Sequence, residues 1–169
     1  MKTSSLTLVC GLPGSGKSFF AQKLSARIDA LYLNSDVLRK ELFPSNRTYS
    51  EIEKQQVYNT LLERASHAIQ TNKSVVVDAT FYKNNLRTPF YQLAKQVNCS
   101  LKLFKIEADE TLIQERTSKT RDDSEADFHV YLKLKDVFEP IDIPFCTLKS
   151  ERANIETLLS DALNYLNHA

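Results

Sequence analysis

Residues 11–18 read Gly-Leu-Pro-Gly-Ser-Gly-Lys-Ser, the spacing G-x-x-x-x-G-K-[ST]. The chemistry this allows is polyphosphate binding. Gly11, Gly14 and Gly16 let the chain turn so that successive backbone N–H groups point inward as an anion nest. A helix starting at Lys17 adds the positive end of its dipole to that field. Lys17 then reaches β- and γ-phosphates, and the Ser18 hydroxyl can ligate Mg²⁺. The run follows an apolar strand-like segment and opens a helical pattern, the context the motif requires. These are the chain's three glycines. The rest of the chain is expected to do without glycine's positive-φ freedom.

Three further groups have the types that phosphoryl transfer uses. Asn34-Ser35-Asp36-Val37-Leu38-Arg39 lies where a strand gives way to a helix, with Asn34 or Ser35 as its cap. Asp36 and Arg39 share a helix face. Asp36 can orient an acceptor hydroxyl and Arg39 can hold the acceptor; equally, the two can pair with each other on the surface. Asp78 ends the apolar run Val75-Val76-Val77, followed by Ala79 and Thr80. A carboxylate there suits holding Mg²⁺ through water or positioning an acceptor, with Thr80 adding a hydroxyl; it also suits a plain turn. Arg116 to Ser124, carrying Lys119, Arg121, Asp122 and Asp123, reads either as a lid whose arginines meet a phosphoryl group or a base, or as a solvated loop.

The elements that must position these side chains alternate in type. Apolar runs at 6–10, 31–33, 74–78, 99–106 and 144–148 read as strands. Helical spacing covers 17–28, 35–42, 51–70, 85–97, 110–117, 128–138 and 151–166. That alternation predicts an α/β fold, a parallel sheet with helices on both faces, and a ligand site beyond the strands' C-terminal ends.

Composition narrows the classes. There are 22 Lys+Arg against 21 Asp+Glu in 169 residues, so binding to nucleic acid by bulk charge is disfavoured. No apolar run reaches the roughly 18 residues of a membrane span, and residues 6–10 are too short for a signal-peptide core. Cys10, Cys99 and Cys146 are far apart and lie in or beside apolar runs, which predicts buried, reduced thiols and a cytoplasmic setting. His67, His129 and His168 do not complete a zinc set. With no glycine beyond residue 16, a GTPase D-x-x-G switch is excluded, and no N-K-x-D base reader is present.

The motifs G-L-P-G-S-G-K-S, N-S-D-x-x-R, V-V-V-D-A-T-F, R-x-x-x-x-R-x-D-S-x-A-D and F-E-P resemble the AAA-domain P-loop kinases related to polynucleotide kinase and zeta toxins. They also resemble the ATP-binding half of bifunctional proteins with an aminoglycoside-phosphotransferase-like half. The likeness runs from about Leu6 to Pro140. It implies one three-layer α/β/α P-loop domain over 1–169, a five-stranded parallel sheet of order 2-3-1-4-5, and a nucleoside-kinase-like lid at about 117–128. It implies ATP and Mg²⁺ as cofactors. Gly11, Leu12, Pro13, Gly14, Ser15, Gly16, Lys17, Ser18, Phe19 and Arg116 would hold the nucleotide. Ser18 would ligate Mg²⁺, with Asp36 and Asp78 acting through water. Lys17, Asp36, Arg116 and Arg121 would be catalytic, Asp36 as the base. Asp36, Arg39, Asp78 and Thr80 would bind the acceptor, and fold analogy puts the base pocket near Thr147 to Arg152.

The leading expectation is transfer of the ATP γ-phosphoryl group to a hydroxyl of a small molecule. The alternatives are a 5′-hydroxyl polynucleotide kinase, a zeta-like toxin kinase acting on a nucleotide sugar, and a non-catalytic ATP-binding regulatory module. A nucleic-acid partner is admitted but not favoured. No membrane partner is expected, and the state is a monomer or homodimer. Phe43 to Tyr49 and the following helix hold acceptor identity, and Arg47, Tyr49 and Tyr58 either touch the acceptor or cover that helix.

Overall fold

A computed structural model describes residues 4–119 and 127–168. Five strands, β1 (Ser5–Cys10), β2 (Leu31–Asn34), β3 (Val75–Asp78), β4 (Ser100–Glu107) and β5 (Cys146–Lys149), form one parallel sheet of order β2-β3-β1-β4-β5. The order matches the expectation. The helices among the described residues are α1 (Lys17–Arg27), α2 (Ser35–Leu42), α3 (Glu51–Gln70), α4 (Asn84–Gln96), α5 (Glu110–Thr117), α6 (Phe128–Asp136) and α7 (Ile155–His168). None is long and apolar enough to cross a membrane.

Strand alternation explains the layers. Leu6, Leu8, Cys10, Val75 and Val77 face one side and bury with Val57, Leu61 and Ala65 of α3 and Phe90 of α4. Val9, Val76, Phe104 and Leu148 face the other side, against Phe20 and Leu24 of α1 and Leu159 of α7. The central strands are thus apolar on both faces, as parallel strands between helix layers must be.

Most boundaries lie within two residues of the sequence expectation. Two shift at their starts. β5 begins at Cys146 instead of Pro144, whose missing N–H cannot serve a ladder. α7 begins at Ile155 instead of Glu151. Asn154 Oδ1 accepts from the Glu151 N–H at 2.8 Å while its Nδ2 donates to Lys149 O at 2.9 Å, holding 151–154 as a turn.

The glycine expectation needs correction. Asp29, Asn46, Tyr49, Asn72, Phe81 and Asn98 all have positive φ. Asp29, Asn72 and Asn98 each follow the C-cap of α1, α3 and α4, the place where a left-handed residue closes a helix. Their short polar side chains tolerate that conformation, so Asn and Asp do there what glycine commonly does.

The cysteines also divide. Cys10 is buried, while Cys99 and Cys146 are half-buried, and all three are free thiols. Burial pushes the Cys10 thiol up to about 12. In the native protein at pH 8, iodoacetamide is expected to alkylate Cys99 and Cys146 and to spare Cys10 until denaturant is added. Mass mapping of Cys10 labelled in the native state would contradict this.

Candidate nucleotide and acceptor sites

The loop between β1 and α1 turns through Gly14 at φ +80 and Gly16 at φ +90, both in the left-handed region. Neither has room for a side chain. A Cβ on Gly14 would lie 2.9 Å from Thr117 Cγ2, and one on Gly16 would lie 2.7 Å from Ser150 Oγ. The loop is therefore wedged between α5 and the segment after β5. Gly16 is the N-cap of α1 and supplies no side-chain oxygen to its first turn. The N–H groups there suit an anion.

Neighbouring strands bring a polar cluster to the same end of the sheet. Val9, Asp78 and Asn34 stand in register. Asp78 is fully buried, and its Oδ2 accepts from Tyr32 Oη at 2.7 Å and Asn34 Nδ2 at 2.6 Å. Its Oδ1 has no hydrogen-bond partner among the described residues. Asn34 also caps α2, its Oδ1 accepting from the Val37 N–H at 2.8 Å, and its Nδ2 lies 3.4 Å from Ser18 Oγ. One asparagine thus fixes the start of the helix that carries Asp36 and orients the Asp78 carboxylate. The unsatisfied Asp78 carboxylate oxygen and the Ser18 hydroxyl, each on a side chain that Asn34 Nδ2 touches, are oxygen donors of the kind that fits hydrated Mg²⁺.

Two cavities meet at this loop. One, of about 310 Å³, is lined by Gly16, Lys17, Ser18, Phe19 and Arg116 together with Ser150 to Ile155. Arg116 bridges its walls, donating from Nη1 to Gly14 O at 3.2 Å and from Nη2 to Glu151 O at 3.0 Å. The other, of about 210 Å³, is lined by Arg39, Tyr49, Lys54, Tyr58, Thr80 and Tyr82, among others. Pro13, Lys17 and Asp36 line both. Gly11, Leu12 and Ser15 face a third cavity, on the β4 side of the loop.

Arg39 is not paired on the surface. It is buried, and its Nη1 donates to Glu53 Oε1 at 2.7 Å. Glu53 Oε2 accepts from the Thr48 and Tyr49 N–H groups at 2.7 and 3.2 Å, which folds the loop before α3 onto the helix. The Arg39 guanidinium lies 4.8 Å from the centre of the Tyr49 ring. Burial pushes the Glu53 carboxyl up, but Arg39 and the Thr48 donors outweigh it and hold it below the ordinary 4.5. Because the folded value is the lower one, this group stabilises the fold above about pH 4.5. The contribution is lost as pH falls through the folded value. Unfolding free energy measured from pH 6 down to pH 3 is expected to fall less steeply in Glu53→Gln than in the wild type. Equal slopes would remove Glu53 from the account.

Of the expected site residues, Lys17, Ser18, Phe19, Asp36, Arg39, Thr80 and Arg116 all line these two cavities. Asp78 stands behind them, touching Asn34 and Tyr32. Arg121 and most of the expected lid lie outside the described residues. Of the segment Thr147 to Arg152, expected to hold the base, Ser150, Glu151 and Arg152 line the larger cavity, and the lining continues through Ile155. Sequence reasoning missed Tyr32, Glu53, Lys54, Tyr82 and the second role of Asn34. A signal was available for two of these: Tyr32 and Asn34 alternate on β2 with the buried Leu33, placing both on the face that meets α1.

The whole fold is shared with solved structures. The chain is similar to the Mycobacterium tuberculosis APS kinase in complex with AMPPNP and APS, at 16% identity, with 98% of each chain covered and a TM-score of 0.74. It is similar to an unliganded sugar kinase from Janibacter sp. HTCC2649, at 16% identity, covering 98% of this chain and 96% of that one, TM-score 0.72. It is also similar to Chaetomium thermophilum Kti12 in complex with ADP-AlF3, at 19% identity, 94% and 97% coverage, TM-score 0.69. At these identities the likeness concerns the fold. Residues 6–141 match the family model described as AAA domain, which takes in the glycine loop, the Asp36 helix and the Asp78 strand, and the chain belongs to that family.

Proposed function

We propose that the protein is an ATP-dependent, Mg²⁺-assisted P-loop kinase that moves the γ-phosphoryl group to a hydroxyl of a small molecule. The observation that carries this reading is that Lys17 and Asp36 line both cavities. A group transferred from one cavity to the other would pass between an ammonium and a carboxylate. The comparisons support the reading through the family and through kinases of the same fold.

In this reading the larger cavity takes the nucleotide. The glycine loop and the α1 N-terminus hold the phosphates. Arg116 is tied to the loop and to the Ser150–Ile155 segment, and so stands where it can meet the base or the phosphates. Lys17 opposes charge on the β- and γ-oxygens. Asp36 accepts the proton of the acceptor hydroxyl and aligns it for in-line attack. Arg39 and Thr80 hold the acceptor. Ser18 would hold Mg²⁺, with Asp78 and Asp36 acting through its water. When bound, the ion would neutralise the phosphate oxygens that gain charge.

The test is transfer from γ-labelled ATP to compounds of a metabolite extract, followed by mass shift, with Lys17→Ala as control. A labelled product that needs Lys17 supports the proposal. Tight ATP binding with no product in any fraction would assign the chain to a nucleotide-dependent binding role instead.

A further inference from the structure

We infer that the acceptor is an uncharged, hydroxyl-rich small molecule, and not a phosphorylated, sulfated or polynucleotide one. The inference rests on the kinase reading above and concerns the smaller cavity.

The described lining of that cavity has three cations, Lys17, Arg39 and Lys54. Lys17 belongs to the nucleotide. Arg39 is held at 2.7 Å by Glu53, with both groups buried. Lys54 Nζ is held at 2.7 Å by Glu51 and donates to Tyr82 Oη at 2.6 Å. Burial presses the Lys54 ammonium toward neutrality, but Glu51 and Tyr82 outweigh it and keep its pKa above the ordinary lysine value. Arg39 and Lys54, the acceptor-side cations of the described lining, therefore each have their own carboxylate. Among the described lining residues an anionic acceptor would meet no cation without a carboxylate partner, and it would lie beside the triphosphate. Like charges at such range repel strongly when partly desolvated.

The polar surface that remains is mostly hydroxyl. Ser35, Tyr58, Thr80 and Tyr82 each carry one. The Tyr58 oxygen accepts the Phe81 N–H at 3.1 Å, and the Tyr82 oxygen accepts from Lys54. Each phenol still has its own proton to donate. Groups that both give and accept match the hydroxyls of a polyol or a sugar. Val130 and Leu134 of α6 supply an apolar wall suited to the C–H face of such a molecule.

Stacking and size point the same way. Arg39 lies over the Tyr49 ring, and Lys54 and Lys83 lie 5.1 and 5.5 Å from the centre of the Tyr82 ring. The aromatic faces that would stack a base are engaged by the protein's own cations. A cavity of about 210 Å³ is smaller than the usual pocket for a drug-sized ligand, about 300–1,000 Å³.

The experiment has two arms. In the first, the nucleotide site is filled with Mg·ADP, and inorganic sulfate is titrated by calorimetry. The wild type is expected to show no sulfate binding in the millimolar range, and Glu53→Gln, which uncovers Arg39, is expected to gain at least about tenfold in affinity. Millimolar or tighter binding to the wild-type complex that disappears in Arg39→Gln would overturn the inference, whether or not the Glu53 variant folds. In the second arm, a metabolite extract is split by anion exchange and each fraction is offered γ-labelled ATP. Product from the unbound, uncharged fraction is the expected result. Product from the retained, anionic fraction alone overturns the inference and leaves the kinase reading standing. Product from neither fraction overturns the kinase reading itself.

Discussion

Asp36→Ala is expected to lower the rate of phosphoryl transfer by about 10²–10⁴-fold, the range for a positioned acid–base group. Its Kd for Mg·ADP is expected to stay within a few-fold of the wild type. The side chain is half-buried on the first turn of α2, at the boundary of the two cavities. Asn34 caps that turn through its own side chain, so the truncation keeps the cap. The loss should fall on kcat, because the carboxylate matters most when the acceptor proton leaves. Asp36→Asn keeps the shape and removes the base, and should match the alanine variant. Full transfer by either variant would end the role given to Asp36.

The second large effect is on stability. Arg87→Ala is expected to lower the unfolding free energy by about 3–5 kcal/mol, from a cavity together with carbonyls left without donors. Arg87 is fully buried on α4. Its Nη1 donates to Phe81 O at 2.7 Å, and its Nη2 donates to Glu139 O at 3.2 Å, to Pro140 O and to Asn84 Oδ1. The Phe138 ring lies 5.8 Å from the guanidinium. One side chain thereby ties the loop after β3 to the chain leaving α6, giving the F-E-P motif a structural reason. Denaturant titrations of the wild type, Arg87→Ala and Arg87→Lys check it. The lysine variant keeps the charge without the fork and should fall between the other two. A loss below about 1 kcal/mol for the alanine variant would mean that other groups hold this junction.

What the sequence shows is what local rules govern. The glycine loop is legible because its spacing, the strand before it and the helix after it all agree. Asp78 is legible because an acid ending a run of valines has one place to be. The layers follow from alternation in Leu6–Cys10 and Val75–Asp78. Arg39 shows the limit. Its spacing from Asp36 predicts a shared face, but its partner is Glu53, across a loop that no period describes. Asn154 stops α7 from starting at Glu151 through side-chain bonds to the backbone, and such competition leaves no mark in apolar spacing. The left-handed turns are not legible from glycine content, because Asp29, Asn72 and Asn98 adopt the conformation in its place.

Phe81 has φ +50, is fully buried and is followed by Tyr82 of the smaller cavity. An aromatic residue rarely rests there, at a cost of about 1–3 kcal/mol. Tyr58 grips its N–H and Arg87 its carbonyl. Two side chains thus hold a conformation that the residue itself disfavours, and loss of either is expected to let the peptide relax and shift Thr80 and Tyr82. Damage at Tyr58 or Arg87 would then read out as a lost reaction although Arg87 lines neither cavity and Tyr58 moves no phosphate.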